Sequence, residues 1–192
     1  SSPAKILTLL VGILSGLIVG VALVLLRYRL DTTFRSMDEV ERTLQVPVLT
    51  ALPKLTRAQS KFAHRMVATE PNGGFSEAIR TARTSIVLST IDSPGRVIVI
   101  TSALPDEGKT TFAMNLARAQ AQTKRTLLIE GDLRRPVYSQ LLGASPLQKG
   151  LSDILDGEAT VAECILSLEP GGLDVLVAGA TSSTPLESLS SK

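Results

Sequence analysis

The sequence predicts an α/β fold with a mostly parallel sheet, preceded by one membrane-spanning helix. Residues 6–26 are an apolar run near the N-terminus, with only two mildly polar side chains in it. Farther along, β-branched stretches at 96–102, 126–130 and 173–179 alternate with segments of helical periodicity. Such alternation favours a parallel sheet, because a helix between two strands carries the chain back to the end of the sheet where the previous strand began.

The apolar run has the length of a membrane span. At about 1.5 Å per residue, a helix over 6–26 is roughly 31 Å long, which matches a bilayer core of about 30 Å and exceeds the apolar part of a signal peptide. Lys5 alone precedes the run, whereas Arg27, Arg29 and Arg35 follow it. Because positive residues favour the cytoplasmic side, the residues after the run are expected in the cytoplasm.

Three glycines lie four residues apart along one stripe of this predicted helix: Gly12, Gly16 and Gly20. Small residues at this spacing let two membrane helices pack closely. Glycine is also common in membrane helices in general, so the stripe leaves specific helix packing open.

Composition excludes several classes of function. The formal net charge of +2 is too small for nucleic-acid binding through bulk charge. Aromatic residues make up 3% and tryptophan is absent, so the bases of a single strand would find few stacking partners. The single cysteine, Cys164, rules out a disulfide framework within the chain and is interpreted as a small apolar filler. We therefore expect no nucleic-acid partner.

Residues 27–74 are expected to connect the membrane helix to the main domain. A short amphipathic helix is predicted first, followed by an extended piece at 46–53 that contains two prolines. The composition then becomes basic and polar and ends in two glycines. We interpret 54–72 as a linker, in which His64 would be solvated.

Helical periodicity resumes over 75–88. This segment carries Glu77, Arg80 and Arg83 at spacings of three, which places them on nearly one face of a helix. From the residues alone, this face is interpreted as a solvated, salt-bridged surface.

A strand, a tight loop and a helix meet at the residues with the strongest chemical signal. The predicted strand 96–102 is followed by a loop that ends in Gly108, and helical periodicity begins at Lys109. A phosphate-binding loop requires this context, because amides at a helix start point at one spot and carry the positive end of the helix dipole. Lys109 would supply charge to the β- and γ-phosphate oxygens, and the Thr110 hydroxyl would ligate Mg²⁺.

The residues predicted to hold the phosphates of ATP are consecutive. They are Pro105, Asp106, Glu107, Gly108, Lys109, Thr110 and Thr111. Ala103 stands where the full pattern G-x-x-x-x-G-K-[ST] has its first glycine, so the flanking strand and helix carry much of the assignment. An ordinary helix N-terminus is the competing interpretation.

The second predicted strand ends in an acidic turn that contains Glu130, Asp132 and Arg134. Ligands of open parallel sheets bind beyond the carboxyl ends of the strands, so this turn is expected to flank the same crevice as Lys109. A carboxylate there would hold Mg²⁺ or accept a hydroxyl proton, and the arginine would neutralise phosphate charge. The alternative is an acidic turn at the surface.

Together, these motifs resemble those of the bacterial tyrosine autokinases that are fused to polysaccharide co-polymerases, also called chain-length determinants. Residues 98–111 resemble their Walker A motif, and residues 127–136 resemble their Walker A′ motif. The segment 46–53 behind the membrane helix and the run 150–153 are also similar to the family. The resemblance covers nearly the whole chain, with the motifs in the family's order.

The resemblance implies an ATP-dependent protein-tyrosine autokinase that regulates exopolysaccharide or capsular polysaccharide polymerisation, chain length and export. ATP and Mg²⁺ would be its cofactors. The catalytic residues would be Lys109, Asp132, Glu130 and Arg134, with Thr110 and Asp132 as the Mg²⁺ ligands.

The resemblance also implies partners and a location. Glu77, Arg80 and Arg83 match the family's E-x-x-R-x-x-R motif, so a homo-oligomeric ring would form through the kinase domain and the membrane helices. Tyrosines of neighbouring subunits would accept the phosphoryl group, and the polysaccharide polymerisation and export machinery would be the further partner. The chain would cross the bacterial inner membrane once, with its kinase portion in the cytoplasm.

The resemblance divides the chain into four parts. These are a membrane flank (1–5), the transmembrane helix (6–26), a juxtamembrane segment and linker (27–74), and the N-terminal part of a P-loop tyrosine kinase domain (75–192). The family's Walker B strand and tyrosine-rich tail are expected beyond residue 192.

Two residues depart from the family pattern. Glu130 replaces the usual first aspartate of Walker A′, and Asp106 stands where glycine is common. These departures keep open a non-catalytic chain-length regulator with a degenerate nucleotide site. A partitioning-type P-loop ATPase is disfavoured by the membrane helix and by the E-x-x-R-x-x-R motif.

Overall fold

The computed structural model describes residues 3–30, 34, 36–89, 97–145, 147–168 and 172–179. It divides into two compact units, Ser1–Val48 and Leu49–Lys192. The helices are α1 (Pro3–Leu30), α2 (Met37–Leu44), α3 (Arg57–Ser60), α4 (Met66–Thr69), α5 (Gly74–Ser89), α6 (Lys109–Ala121), α7 (Tyr138–Leu142), α8 (Leu151–Leu155) and α9 (Val161–Cys164). A 3₁₀ turn spans Ala63–Arg65, and the strands are β1 (Thr126–Ile129), β2 (Ile165–Ser167) and β3 (Leu173–Leu176).

The first unit contains α1 and α2. Within α1, Leu9–Tyr28 has a mean hydropathy of 2.9 and is long and apolar enough to cross a membrane. The helix covers the predicted span 6–26 and begins at Pro3, a residue favoured at the first helical position. The predicted short amphipathic helix is α2, where the Glu39 N–H donates to the hydroxyl of the N-cap residue Ser36. Arg35, used to predict the orientation, lies outside the described residues.

The second unit contains a three-stranded sheet with the order β1-β3-β2. β1 and β3 are parallel, with Thr126 opposite Leu173 and Ile129 opposite Leu176, as the alternation of strands and helices predicts. β2 is not expected from the sequence, and it pairs with β3 in the antiparallel sense. Only a few residues connect these two strands, which is too short for the crossover that a parallel pair needs.

The main core lies between the sheet and α6. Leu173, Val175 and Val177 are fully buried and pack with Met114 of α6 and Tyr138 of α7. β3 is the middle strand, so its side chains are covered along its length. These contacts fix α6 against the sheet and thereby place the N-terminus of that helix.

One predicted strand is not formed. Residues 97–102 are outside the strands, with Val97 and Val99 each 84% exposed and Ile98 51% exposed. The prediction of a buried strand is therefore wrong for these residues, while Arg96 lies outside the described part of the chain. Apolar β-branched side chains make a strand only where a neighbour pairs with the backbone, and none of β1 to β3 pairs with this segment.

The segment 54–72, interpreted above as a linker, is a folded part of the second unit. α3 begins with a capping box at Thr56. α4 buries Met66 and Val67 against Phe75 of α5. The linker interpretation is wrong because Met66 and Val67 are buried in a hydrophobic cluster of the domain.

His64 lies within this folded segment and is half-buried rather than fully solvated. Desolvation lowers the pKa of its imidazole, and the charges of Arg65 and Arg118 lower the pKa further. The histidine is therefore neutral at pH 7.

Cys164 ends α9 and is fully buried, as expected for a small apolar filler. Burial raises the pKa of its thiol, and the carboxylates of Asp153 and Glu163 raise the pKa further. The thiol is therefore protonated and covered.

Candidate phosphate-binding site

The N-terminus of α6 has the geometry that an anion site requires. Gly108 is its N-cap residue, with φ of +86° in the left-handed region that favours glycine. The cap makes no side-chain hydrogen bond, so the first amides of α6 and the positive end of its dipole remain for a ligand. A Cβ built on Gly108 would meet no atom within 4 Å, so the space beside the cap is open.

Two short-range hydrogen bonds brace the loop before α6. The Ser102 hydroxyl donates to the Leu104 carbonyl oxygen at 2.8 Å. The Leu104 N–H donates to Oε2 of Glu107 at 3.0 Å. Glu107 belongs to the predicted phosphate-binding loop, and in the structure its carboxylate holds the loop's own backbone.

A cavity of about 580 Å³ opens beside the loop, within the size range of small-molecule sites. The predicted loop contributes Asp106, Glu107, Gly108, Lys109 and Thr111 to its lining. Much of the remaining lining is apolar and is not predicted from the sequence to belong to a site: Leu52, Pro53, Leu55, Phe75, Ile100 and Phe112. The extended, proline-containing segment at 46–53 is the signal that could have pointed to part of this wall.

Glu130, predicted as a catalytic carboxylate, is 4% exposed and has three backbone partners. Its Oε1 accepts hydrogen bonds from the N–H groups of Val137 and Tyr138 at 2.6 and 2.9 Å. Its Oε2 accepts a hydrogen bond from the Ala178 N–H at 3.0 Å. These bonds join the end of β1 to the start of α7 and to Ala178, which follows β3. The carboxylate therefore supports the loop that follows it.

Asp132 lies in that loop and is exposed. Its Oδ1 accepts a hydrogen bond from the Arg135 N–H at 3.1 Å, and the side chain of Arg134 is also exposed. Glu130, Asp132 and Arg134 are not among the residues that line the cavity beside Lys109. The structure thus brings most residues of the predicted phosphate-binding loop together around one cavity, and Glu130, Asp132 and Arg134 lie outside its lining.

The described residues contain no group of three or more His, Cys, Asp or Glu side chains that could hold a metal ion. Mg²⁺ commonly takes only one or two protein oxygens and completes its shell with phosphate oxygens and water. The exposed carboxylate of Asp132 and the first turn of α6 fit that chemistry, whereas the buried Glu130 does not.

Tyr138, directly after the loop, is 5% exposed. Burial raises the pKa of its phenol to about 12, and the negative charge of Glu130 contributes to the shift. The phenol therefore stays neutral at physiological pH.

The charged face of α5 makes contacts within its own chain. Arg80 pairs with Glu77 and donates to the carbonyl oxygen of Pro71. Arg83 donates to the Ala119 carbonyl oxygen at 3.1 Å, and this carbonyl lies in the last turn of α6. A cation at this end of a helix satisfies an unpaired carbonyl and complements the dipole. Arg83 thus holds the opposite end of the helix that begins at the phosphate-binding loop.

Comparison with known proteins gives one consistent result, although no family model matches the chain. A putative tyrosine-protein kinase in the cps region of Klebsiella pneumoniae is 30% identical over 200 residues, which cover 97% of this chain and 28% of that protein. The tyrosine-protein kinase YwqD of Bacillus subtilis is 38% identical over 136 residues, covering 69% of this chain and 56% of YwqD. The succinoglycan biosynthesis transport protein ExoP of Rhizobium meliloti is 33% identical over 210 residues, covering 95% of this chain and 26% of ExoP.

Solved structures agree with the sequence relatives. The kinase domain of the Escherichia coli tyrosine kinase ETK matches with a TM-score of 0.72 and 28% identity, over 81% of this chain and 65% of that domain. The chimerical protein CapA2B2 matches with the same TM-score and coverage at 33% identity. The chain is a relative of the bacterial tyrosine-protein kinases. It spans 28% of the length of the Klebsiella relative, and its fold resembles that of the ETK kinase domain.

Both departures from the kinase pattern have a structural explanation. Asp106 has φ of +62°, and aspartate is one of the few residues besides glycine that adopt this left-handed conformation. Glu130 uses the reach of its longer side chain to meet three amides in two other segments. Asp106 is therefore compatible with the left-handed turn of the loop, and the carboxylate of Glu130 is bonded within the fold.

Proposed function

We propose that the protein containing this chain is an ATP-dependent protein-tyrosine autokinase that regulates exopolysaccharide or capsular polysaccharide polymerisation, chain length and export. The N-terminus of α6 carries the proposal, because its uncapped amides adjoin a cavity of small-molecule size in a chain related to tyrosine kinases. The names of two relatives support the polysaccharide role, since one refers to a cps region and the other to succinoglycan biosynthesis transport.

The residues of this chain would divide the chemistry between charge neutralisation and positioning. Bound MgATP would supply the phosphoryl group. The amides behind Gly108 and the ammonium of Lys109 would hold the β- and γ-phosphate oxygens, and Thr110 would ligate the metal. Asp132 would hold the metal or accept the tyrosyl proton, with Arg134 neutralising phosphate charge. Glu130 would act by holding the loop that carries Asp132.

The location follows from the apolar helix and the charges around it. α1 would anchor the protein in the bacterial inner membrane with a single span. The arginines behind the span favour the cytoplasm for the second unit, on the side where ATP is found. Proteolysis of right-side-out membrane vesicles tests this topology, since a cytoplasmic second unit would resist protease until the vesicles are opened.

Replacement of Lys109 in the predicted phosphate-binding loop tests the kinase assignment. In the complete protein, Lys109→Met should abolish labelling of tyrosine from γ-labelled ATP and weaken MgATP binding in calorimetry, because the point charge on the phosphates is gone. Lys124→Met is the matched control, since Lys124 is exposed just behind the other end of α6. Tyrosine labelling that survives Lys109→Met would refute the assignment.

A non-catalytic regulator with a nucleotide site is the second candidate. The burial of Glu130 favours it, because one of the two acidic residues expected in catalysis is committed to backbone amides. Nucleotide-dependent oligomerisation in the absence of any tyrosine labelling would select the regulator over the kinase.

Assembly into a ring would use the charged face of α5. Glu77→Ala combined with Arg80→Ala should dissolve the oligomer into monomers, because both side chains of that ion pair lie on one face of the helix. Light scattering of the complete protein measures the mass. Arg83→Ala is the comparison variant, since its side chain bonds to α6 of the same chain and its loss should act first on stability. An unchanged mass of the double variant would contradict the ring interface.

A further inference from the structure

A fully buried asparagine in the middle of α6 connects that helix to the folded segment before α5. Oδ1 of Asn115 accepts a hydrogen bond from the Val67 N–H at 2.9 Å. Its Nδ2 donates to the Ala63 carbonyl oxygen at 2.6 Å and to the Thr111 carbonyl oxygen at 2.7 Å. One side chain therefore links the first turn of α6 to backbone groups 48 and 52 residues earlier in the chain.

The three hydrogen bonds determine which way the amide faces. The oxygen of Asn115 meets a donor and the nitrogen meets two carbonyls, so a rotated amide would set oxygen against oxygen. Aspartate would place a carboxylate oxygen against the same two carbonyls in a buried site. An apolar side chain would leave three backbone groups without this partner. Asparagine alone among similarly sized side chains satisfies all three.

The link reaches the predicted phosphate-binding loop, residues 105–111, which we call the phosphate cradle. Thr111, which accepts one of the bonds, is the last residue of the cradle, and Phe112 packs on the cluster that contains Met66. The start of α6 has no side-chain cap of its own. The direction of its first amides therefore depends on contacts made farther along the helix, and Asn115 provides the polar contact among them that reaches the first turn itself.

We propose that Asn115 is a positioning residue for the phosphate cradle. Through its bonds to Ala63, Val67 and Thr111, it sets the rotation of α6 about its axis at which the first amides converge on phosphate. A shift of the segment 57–69 would then change nucleotide affinity through the same side chain. This inference rests on the proposed function, because it takes MgATP as the ligand of the cradle.

The fold offers a matched control for this role. Ser76 is also fully buried, and its hydroxyl donates to the Glu70 carbonyl oxygen at 2.7 Å. It attaches the same folded segment to α5 rather than to α6. Loss of either side chain disturbs the packing of that segment, whereas loss of Asn115 alone frees the first turn of α6.

Calorimetry and thermal unfolding of the complete protein test the inference, with the variants Asn115→Asp, Asn115→Ser and Ser76→Ala. All three variants should unfold at lower temperature than the wild type. MgATP affinity, measured well below each unfolding temperature, should fall at least about tenfold only in the Asn115 variants, because small displacements of a positioned group have large effects. Asn115→Ser keeps one donor and is the milder variant where Asn115→Asp does not fold.

Two outcomes would overturn the inference alone. One is a folded Asn115 variant that binds MgATP as tightly as the wild type. The other is an equal loss of affinity in Ser76→Ala, which would make general stability the cause. A wild-type protein that binds no MgATP would instead refute the proposed function itself, and the inference with it.

Discussion

The loop before α6 and the loop behind β1 are held in opposite ways. The first depends on local backbone geometry, with Gly108 in the left-handed region and Glu107 bonded three residues away. The second is closed by the buried carboxylate of Glu130, whose partners lie up to 48 residues distant. A loop built from local geometry leaves its amide donors available to a ligand. A loop closed by a buried charge has already used that charge, and only its exposed members remain available to a ligand.

The largest effect that separates the two loops is expected from Glu130→Ala. The variant leaves three backbone amides, two of them buried, without an acceptor, so the free energy of unfolding should fall by about 3 kcal/mol. Urea unfolding of the protein in detergent measures this loss. Glu158→Ala, an exposed glutamate, should change the same quantity by less than about 0.5 kcal/mol. A similar small change in Glu130→Ala would show that the buried carboxylate does not hold its loop.

Asp132→Asn should lower the kinase activity and leave the stability of the fold unchanged. Tyrosine phosphorylation should slow about 100-fold, because a positioned carboxylate is lost from metal binding or proton transfer. The unfolding temperature should remain that of the wild type, since the side chain is exposed and its acceptor oxygen for the Arg135 N–H is retained. Full activity in this variant would remove Asp132 from the proposed chemistry.

Gly108→Ala, in the loop held by backbone geometry, should lower the free energy of unfolding by a smaller amount. The φ of +86° costs an alanine about 1–2 kcal/mol, although its Cβ would meet no atom within 4 Å. Gly131→Ala is the matched control, because Gly131 has similar open space and lies outside the residues with positive φ. Equal unfolding free energies for the two variants would argue against strain at 108.

The smallest effect concerns alkaline pH. In a Tyr28→Phe variant of the 192-residue chain, Tyr138 is the remaining tyrosine, and its phenol should ionise near pH 12 rather than near 10. Because the pKa is raised in the folded state, the phenol's contribution to stability is complete below about pH 10 and is lost as the pH rises towards about 12. Ultraviolet titration measures the midpoint. Ionisation near pH 10 in the folded protein would show that Tyr138 is solvated.

Local patterns of the sequence predict a large part of the fold. The apolar helix, the parallel orientation of β1 and β3 and the loop before α6 all follow from composition, period or motif. The strand predicted for 97–102 is not formed, because a strand depends on neighbouring strands that its own residues do not specify. Its β-branched residues favour a strand, and in the described chain no strand pairs with them.

The roles of Glu130 and Asn115 are harder to predict because their partners are remote. An acidic residue at a strand end is as compatible with a metal site as with a buried carboxylate that accepts backbone hydrogen bonds. An asparagine inside a helical stretch carries no signal of the backbone groups 48 and 52 residues away that it joins. In both cases the sequence identifies the residue type, and only the fold identifies its partners.

Cys164 gives the molecule an internal reporter. The thiol is fully covered and is the chain's only cysteine, so an alkylating reagent can reach it only after α9 moves away from its neighbours. The rate of labelling in native buffer therefore measures how often this part of the domain opens, without any introduced probe. A nucleotide that tightened the whole domain would slow the labelling, and one that acted only around its own binding loop would leave the rate unchanged.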